Sequence, residues 1–250
     1  MFVNFTNLIN FLNFINYPMR FDIISIFPES FMSYFGVSML KRAQEDGLIE
    51  IYTHNLRDFA HDKHKTVDDT PYGGGAGMVL KIEPIWRCFQ FLKSKIKNQK
   101  SKTRVILLSA KGRVFTQADA RRLARYDRLI LVCGRYEGVD ERVAEHFVDE
   151  ELSIGEYVLT GGEIPAMVVI DAVARLIPGV LGNAQSAETE SHSEEGIVEY
   201  PQYTKPEIFR DYRVPEVLLS GHHGEIAKWR QEQSEKMTTK RKEISHAKKH

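Results

Sequence analysis

The sequence predicts an α/β fold with a parallel sheet covered by helices on both faces, followed by a small helical carboxyl-terminal domain. Two short apolar runs, RVILL at residues 104–108 and LILVC at 129–133, are typical of strands buried on both faces of a sheet. The stretch between them, residues 116–125, has the pattern of a helix. After Tyr200 the chain becomes basic and helix-prone, which indicates a second, smaller domain.

The first part of the chain supplies further elements of this sheet. An alternating, β-rich run at residues 21–27 predicts the first strand, and Pro28 ends it. We expect helical structure from there to about Gly47 and a second strand at 49–52. These elements lead into a long segment that has little hydrophobic periodicity.

That segment, residues 55–78, is expected to be a functional loop, because a structureless loop of this length is uncommon in a compact domain. It contains PYGGGAG at 71–77, which lacks the Gly-Lys-Ser/Thr ending of a phosphate-binding loop. We therefore expect its glycines to let the backbone approach a flat ligand. The HDKH run at 61–64 is weak evidence for a metal site, and we predict none. A helix at 83–97 follows, with Pro84 in its first turn.

Three predicted strands end in loops of glycine or small residues. The runs at 104–108, 129–133 and 157–159 lead into SAKGR, GRYEG and TGGE. Ligands of parallel sheets bind beyond the carboxyl ends of the strands, so these loops are expected to line one pocket. Between the first two strands, Thr116 and Asp119 are spaced as a helix-capping pair.

The helix predicted at residues 163–177 is apolar on nearly every side. A helix without a polar face must be buried in a core or in an interface. Residues 182–196 are small, polar and acidic, which is typical of a flexible linker.

Composition and charge limit the function further. The chain has 250 residues, 42% of them hydrophobic and 27% charged, as in an ordinary soluble globular protein. Residues 1–135 carry 21 Lys and Arg against 12 Asp and Glu, residues 136–200 carry 2 against 15, and residues 201–250 carry 11 against 7. Basic regions on either side of an acidic one suit a protein that binds a polyanion. Cys88 and Cys133 lie in apolar runs and are expected to be buried thiols of a cytoplasmic protein.

The chain is predicted to divide into four parts. Residues 1–18 lack the basic region and cleavage site of a secretory signal, and their asparagines argue against a membrane span. We expect them to be a disordered extension, or to precede a true start at Met19. Residues 19–181 would then form the α/β domain, 182–200 a flexible linker and 201–250 a helical domain.

Several long motifs of the chain are shared with one family. They are IFPESF, TVDDTPYGGGAGM, LILVCGRYEGVDERV, SIGEYVLTGGEIPAM, RLIPGVLGN, EYPQYTKP and VPEVLLSGHHGEIAKWR. With these the chain resembles the bacterial tRNA (guanine-N1)-methyltransferases, the TrmD family of the SPOUT superfamily, from Met19 to about Lys242. The resemblance implies a SPOUT methyltransferase domain with a deep trefoil knot, a homodimer, and tRNA as substrate, methylated at N1 of the guanine that follows the anticodon.

The resemblance also implies that the knot binds S-adenosylmethionine in a bent shape. The matching positions coincide with the three glycine-containing loops. They are Leu108, Ser109 and Ala110; Gly134, Arg135, Tyr136 and Glu137; and Ile154, Gly155, Glu156, Tyr157, Val158 and Leu159 with Gly161, Gly162 and Pro165.

Methylation at N1 of guanine needs two further groups. The proton on N1 must leave, which requires a general base, and the negative charge that spreads to O6 is stabilised by a cation. By the resemblance, these groups fall on Glu190 and Arg175. Glu190 departs from the family, which has Asp there, and the linker is one residue longer than the family pattern.

Alternatives stay open for both groups. Glu188, Glu194 or Glu195 supplies the base if the extra residue lies elsewhere in the linker. Asp171 precedes Arg175 by four residues and could form an ordinary helix-surface ion pair with it. The resemblance further implies magnesium during methyl transfer, without a dedicated protein site.

Three other functions compete with this one. A SPOUT enzyme of another specificity, such as a ribose 2′-O-methyltransferase, would lack the carboxylate-bearing linker. An RNA-binding module without turnover would not need intact cofactor loops. A nucleotide-phosphate binder built on GGGAG would bind ATP instead.

Overall fold

The computed structural model describes residues 18–96, 101–182 and 196–247. Contacts within the chain divide it into two compact units, with the boundary between Gly182 and Asn183. The expectations for residues 1–17 and for most of the linker lie outside the described residues. The helix predicted at 83–97 ends earlier, at Ser94.

The first unit contains a five-stranded parallel sheet in the order β2-β1-β6-β5-β7. The central strand β6 is buried at every position, which explains its unbroken apolar sequence. A short antiparallel pair, β3 with β4, lies outside this sheet. The strands are β1 (Met19–Ser25), β2 (Ile49–Asn55), β3 (Asp68–Asp69), β4 (Val79–Leu80), β5 (Thr103–Val114), β6 (Arg128–Cys133) and β7 (Glu150–Ser153).

Helices cover both faces of the sheet, as predicted. Alternate residues of β6 belong to different hydrophobic clusters: Leu129 packs with Val169 and Val173 on one face, and Ile130 packs with Ile85 on the other. The helices of this unit are α1 (Met32–Phe35), α2 (Ser38–Glu45), α3 (Ile82–Ser94), α4 (Gln117–Leu123), α5 (Glu141–His146) and α6 (Glu163–Ala174).

The third strand after the long loop is not where the sequence predicted it. Residues 157–159 are not a strand, and Val158 is 85% exposed. The strand is β7, which pairs only with β5 at the edge of the sheet. An edge strand can carry charge, and the Glu150 carboxylate accepts hydrogen bonds from Arg104, Arg113 and Arg122. Since β7 lacks an apolar run, the neighbouring apolar triplet has the stronger strand pattern in the sequence.

Strand β5 is longer than the predicted 104–108. Its pairing with β7 shifts register between Leu108 and Arg113, after which Arg113 and Val114 resume the ladder. The expected SAKGR loop is therefore a bulge within a strand, and it displaces residues 109–112 from regular pairing.

The predicted capping pair is confirmed at the start of α4. The Thr116 hydroxyl accepts a hydrogen bond from the Asp119 backbone N–H, and the Asp119 carboxylate accepts one from the Thr116 N–H at 3.0 Å. Cys88 and Cys133 are buried, as expected, and burial raises the pKa of the Cys88 thiol to about 12.

Helix α6 is buried on one face only. Ala166, Val169 and Val173 lie in the core, whereas Ile164 is 56% and Val168 41% exposed. The sequence predicted burial in a core or in an interface; the core of one chain covers one face of the helix, and an apolar stripe remains at the surface.

Within residues 196–247, the described part of the second unit forms a hairpin and two helices. These are β8 (Ile208–Phe209), β9 (Tyr212–Arg213), α7 (Glu216–Leu219) and α8 (His223–Ala247). The segment before the hairpin packs along α8: Val198 exchanges hydrogen bonds with Ser234 and Thr238, and the rings of Tyr203 and Trp229 lie 6.3 Å apart. None of the described helices is long and apolar enough to span a bilayer.

A buried carboxylate in β1 makes the first unit sensitive to acid. Asp22 is inaccessible to solvent, and its oxygens lie 2.7 Å from Arg128 Nε, 2.8 Å from Arg20 Nε and 2.6 Å from His54 Nε2. Burial acts to raise the pKa of Asp22, but the hydrogen bonds from His54, Arg20 and Arg128 outweigh it and hold the pKa well below its usual range.

A lowered pKa in the folded state means that the stabilisation is complete above the unfolded value, near 4, and is lost as the pH falls further. We expect Asp22 to contribute on the order of 2 kcal/mol that is lost progressively as the pH falls below about 4. Urea unfolding at a series of pH values measures this loss. The Asp22→Asn variant should show a smaller pH dependence in that window, and an unchanged dependence would contradict the assignment.

Candidate active site

A cleft of about 290 Å³ lies beyond the carboxyl ends of β5, β6 and β7. Three segments form it: 108–111, 134–138 and 154–165, called here the first, second and third cleft segments. Of the predicted cofactor residues, those that line the cleft are Leu108, Ser109, Ala110, Gly134, Arg135, Tyr136, Glu137, Ile154, Tyr157, Val158, Leu159, Gly161, Gly162 and Pro165. Gly155 and Glu156 do not line it.

The first cleft segment is the bulge of β5. The Ser109 hydroxyl accepts a hydrogen bond from the Lys111 backbone N–H at 3.2 Å, which closes the bulge locally. Lys111 Nζ reaches Glu141 Oε2 at 2.5 Å, so an ion pair joins this segment to α5. The hydrogen bond to Glu141 raises the pKa of Lys111, which keeps the ammonium charged at neutral pH.

The second cleft segment turns sharply after β6. Tyr136 has a φ of 58°, a left-handed conformation that costs a residue other than glycine on the order of 1 kcal/mol. Such strain often marks a functional position, and the Tyr136 ring lines the cleft. The turn is fixed by the Gly138 N–H, which donates to the Arg135 carbonyl at 3.0 Å.

The glycine-rich loop reaches this second segment. The Glu137 N–H donates to the Met78 carbonyl and the Leu80 N–H donates to the Gly138 carbonyl, both at 3.0 Å. A Cβ on Gly77 would lie 2.4 Å from Glu137 Oε1. The end of the PYGGGAG motif therefore lies against the cleft carboxylate of Glu137, and only a glycine fits there.

The third cleft segment crosses over the second. The Gly162 N–H donates to the Gly134 carbonyl at 2.9 Å. A Cβ on Gly162 would lie 2.6 Å from Cys133 Cα and 2.9 Å from the Gly134 nitrogen, both backbone atoms. The two segments can approach this closely because residue 162 is glycine.

The charges of the cleft favour a ligand with cationic character. Three of the described lining residues are glutamates, Glu137, Glu141 and Glu151, and two are cations, Lys111 and Arg135. Glu151 Oε2 is buried and has no hydrogen-bond partner among the described residues. A buried carboxylate oxygen of this kind is suited to accept a hydrogen bond from a bound molecule.

Of the predicted catalytic pair, Arg175 is not brought to the cleft within one chain. Arg175 follows α6, whereas the cleft lies at the other end of that helix, so the two are about 18 Å apart along the helix axis. Glu190, with the alternatives Glu188, Glu194 and Glu195, lies outside the described residues. The Asp171 carboxylate, proposed as a partner for Arg175, accepts a hydrogen bond from the Tyr34 hydroxyl.

Some lining residues were not predicted. Lys111, Glu141 and Glu151 contribute charge to the cleft. Lys111 lies within the predicted SAKGR loop but was not among the predicted cofactor residues, and Glu141 could have been found by extending the GRYEG loop by three positions. The sequence pattern did not point to Glu151 as a lining residue, because the strand that contains it was predicted at residues 157–159 instead.

Comparison with known proteins agrees with this architecture. Residues 19–246 match the family described as tRNA (Guanine-1)-methyltransferase TrmD. A protein of Desulforamulus reducens named tRNA (guanine-N(1)-)-methyltransferase is 57% identical over 224 residues, covering 90% of this chain and 87% of the relative. Proteins of the same name from Geotalea uraniireducens, at 56% over 86% of this chain and 85% of theirs, and from a strain of Dehalococcoides mccartyi, at 54% over 90% and 89%, are also similar. The chain therefore belongs to the TrmD family of tRNA (guanine-1)-methyltransferases.

Proposed function

We propose that this chain transfers a methyl group from S-adenosylmethionine to N1 of the guanine that follows the anticodon of tRNA. The observation that carries the proposal is the cleft itself. In a chain of the TrmD family, three segments, two of them with glycines, meet at one edge of a parallel sheet. The substrate places the activity in the cytoplasm.

The cleft suits this methyl donor. When bound, S-adenosylmethionine supplies a methyl group made electrophilic by its positively charged sulfur. The close approach of the second and third segments at Gly134 and Gly162 leaves backbone groups at the cleft wall, where they can bind the flat adenine ring. The excess of carboxylates along the cleft favours the sulfonium and amino groups electrostatically.

The chain must also activate guanine. We assign the general base to Glu190, which takes the N1 proton, and the cation beside O6 to Arg175. Glu188, Glu194 and Glu195 remain alternatives for the base. A carboxylate has a reference pKa near 4.3 and is ionised at neutral pH, as a proton acceptor requires.

Two copies of the chain are needed for this assignment. A reacting methyl group and its acceptor atom must approach to about 3 Å, yet Arg175 and the cleft lie at opposite ends of α6. We therefore propose a homodimer in which Arg175 of one chain serves the cleft of the other. The exposed apolar stripe at Ile164 and Val168 supports a second chain packing against this helix.

The trefoil knot of the family belongs to the same proposal. We assign it to the three cleft segments. The crossing of the third over the second, held by the hydrogen bond from Gly162 to Gly134, supports this assignment.

The second unit is proposed to bind tRNA. Residues 201–250 carry 11 Lys and Arg against 7 Asp and Glu, and phosphate contacts would make the affinity fall as salt rises. Among the residues that the structure describes, no three His, Cys, Asp or Glu side chains come together as a metal site. The proposed methyl transfer therefore has no step that uses magnesium, and no residue is assigned as a magnesium ligand.

A methylation assay tests the proposed function. A tRNA transcript with guanine after the anticodon should accept one methyl group, found as N1-methylguanine when the nucleosides are separated by mass spectrometry. The matched transcript with adenine at that position should accept none. A methylated ribose would indicate another SPOUT specificity, and donor binding without turnover would indicate an RNA-binding module. ATP binding in place of the donor would favour the nucleotide-binding alternative.

A further inference from the structure

We infer that the buried Glu163 carboxylate and the partly exposed Arg135 guanidinium form an ion pair that positions the second and third cleft segments for the methyl donor. The inference rests on the proposed function, because it assigns a role in holding the donor to two side chains that the proposed methyl transfer does not use directly. Glu163 lies outside the cleft lining and acts through Arg135.

Glu163 is a buried carboxylate at the beginning of α6. It is 5% exposed, and the Ser25 hydroxyl donates a hydrogen bond to its Oε1 at 2.7 Å. Its Oε2 lies 3.3 Å from Arg135 Nε. The first turn of a helix favours a negative charge, so this location adds to the stabilisation of the carboxylate. Glu163 thereby connects the end of β1 to the second cleft segment.

Arg135 extends the connection to the third segment. Its Nη1 donates to the Thr160 carbonyl at 2.9 Å, and its guanidinium lies over the Phe27 ring, 4.7 Å from the centroid. The Arg135 backbone also forms an isolated antiparallel bridge with Gly161. Arg135 therefore holds the second and third cleft segments at a fixed separation.

The crossing leaves no room for a side chain at residue 161. A Cβ on Gly161 would lie 2.4 Å from Glu163 Oε2 and 2.5 Å from Arg135 Nε. The backbone of the third segment thus passes directly over the ion pair. The two adjacent glycines are required for different reasons. A Cβ at Gly162 would clash with the backbone of Cys133, and a Cβ at Gly161 would clash with the charged side chains of Glu163 and Arg135.

Removing the charge of Glu163 or of Arg135 should change the structure of the cleft. Removing Arg135 would leave the buried Glu163 carboxylate without its partner, which is strongly destabilising, and removing the Glu163 charge would let the partly exposed Arg135 turn further toward solvent. For Arg135 the accessible route to solvent is the cleft that it lines. A displaced Arg135 would release the Thr160 carbonyl and loosen the third segment.

The test is Glu163→Gln in the full-length protein. Glutamine retains the shape and can keep the hydrogen bond with Ser25, but it removes the charge. Calorimetric titration with S-adenosylmethionine should give a dissociation constant raised about tenfold or more, as expected for a charge-assisted contact. The KM for tRNA should change less than about twofold, since the second unit is untouched.

The matched control is Glu150→Gln. Glu150 is also a largely buried carboxylate held by arginines, but it does not line the cleft or contact its segments. It should lower the melting temperature while leaving donor affinity unchanged. In a double-mutant cycle, Glu163→Gln and Arg135→Gln should be non-additive in donor affinity.

Donor affinity equal to wild type in Glu163→Gln would overturn the inference. Failure of the wild-type protein to bind the donor would instead overturn the proposed function. If Glu163→Gln does not fold, Ser25→Ala replaces it. That variant removes only the hydrogen bond to the carboxylate, should weaken donor binding about threefold, and would overturn the inference if binding were unchanged.

Discussion

Replacing Arg175 with alanine is expected to slow methyl transfer by about 100-fold or more, the usual cost of removing a group that stabilises developing charge. Donor affinity should stay near the wild-type value, because the proposed contact of Arg175 is with O6 of guanine and not with the methyl donor. Single-turnover methylation with saturating tRNA measures the rate, and calorimetric titration measures the affinity. A variant that lost donor binding in parallel with rate would contradict the assigned geometry.

Mixing two inactive variants tests whether the arginine acts across the dimer. Arg175→Ala retains an intact cleft, and Gly162→Ala retains an intact Arg175. If each cleft uses the arginine of the other chain, every mixed dimer has one complete site, and an equal mixture should recover about a quarter of wild-type activity. An inactive mixture in which exchange of chains is verified would show that the arginine serves its own chain.

Gly162→Ala is expected to weaken binding of the methyl donor by about 100-fold or more. Its Cβ would lie 2.6 Å from Cys133 Cα and 2.9 Å from the Gly134 nitrogen. Neither is the end of a flexible side chain, so the second and third cleft segments must separate. Overpacking of this kind also costs about 1 to 3 kcal/mol of folding free energy. Calorimetry and urea unfolding measure the two effects.

Gly182→Ala is the control for this substitution. Nothing lies within 4 Å of a Cβ built on Gly182, and its φ is not in the left-handed region. It should keep both donor affinity and stability near wild type. Normal donor binding by Gly162→Ala would mean that the crossing of the two segments does not shape the binding site.

Much of the sheet could be predicted from the sequence, because its central strands are buried on both faces and therefore show apolar runs. Strand β6 and the capping pair of Thr116 and Asp119 follow from local pattern alone. Strand β7 could not be predicted in this way. Its Glu150 is stabilised by Arg104, 46 residues away, and no local pattern reports such a partner.

The candidate site likewise has one part that the sequence predicts and another part that it does not. Motifs identified most of the lining residues, since glycine-rich turns that directly follow buried parallel strands are typical of ligand-binding loops. The pairing of Ser25 with Glu163 spans 138 positions, and its two members stand in unrelated motifs. The distance between Arg175 and the cleft likewise depends on the direction of α6 in three dimensions. That direction cannot be read from the order of residues along the chain.

The charged edge strand also restricts how two copies of the chain can meet. An open sheet edge normally offers free N–H and C=O groups to a strand from another molecule. In β7, carboxylates occupy successive positions and three arginines surround one of them. A second sheet docking there would have to bury those charges and disrupt their partners. This edge thus guards against fibre-like strand addition.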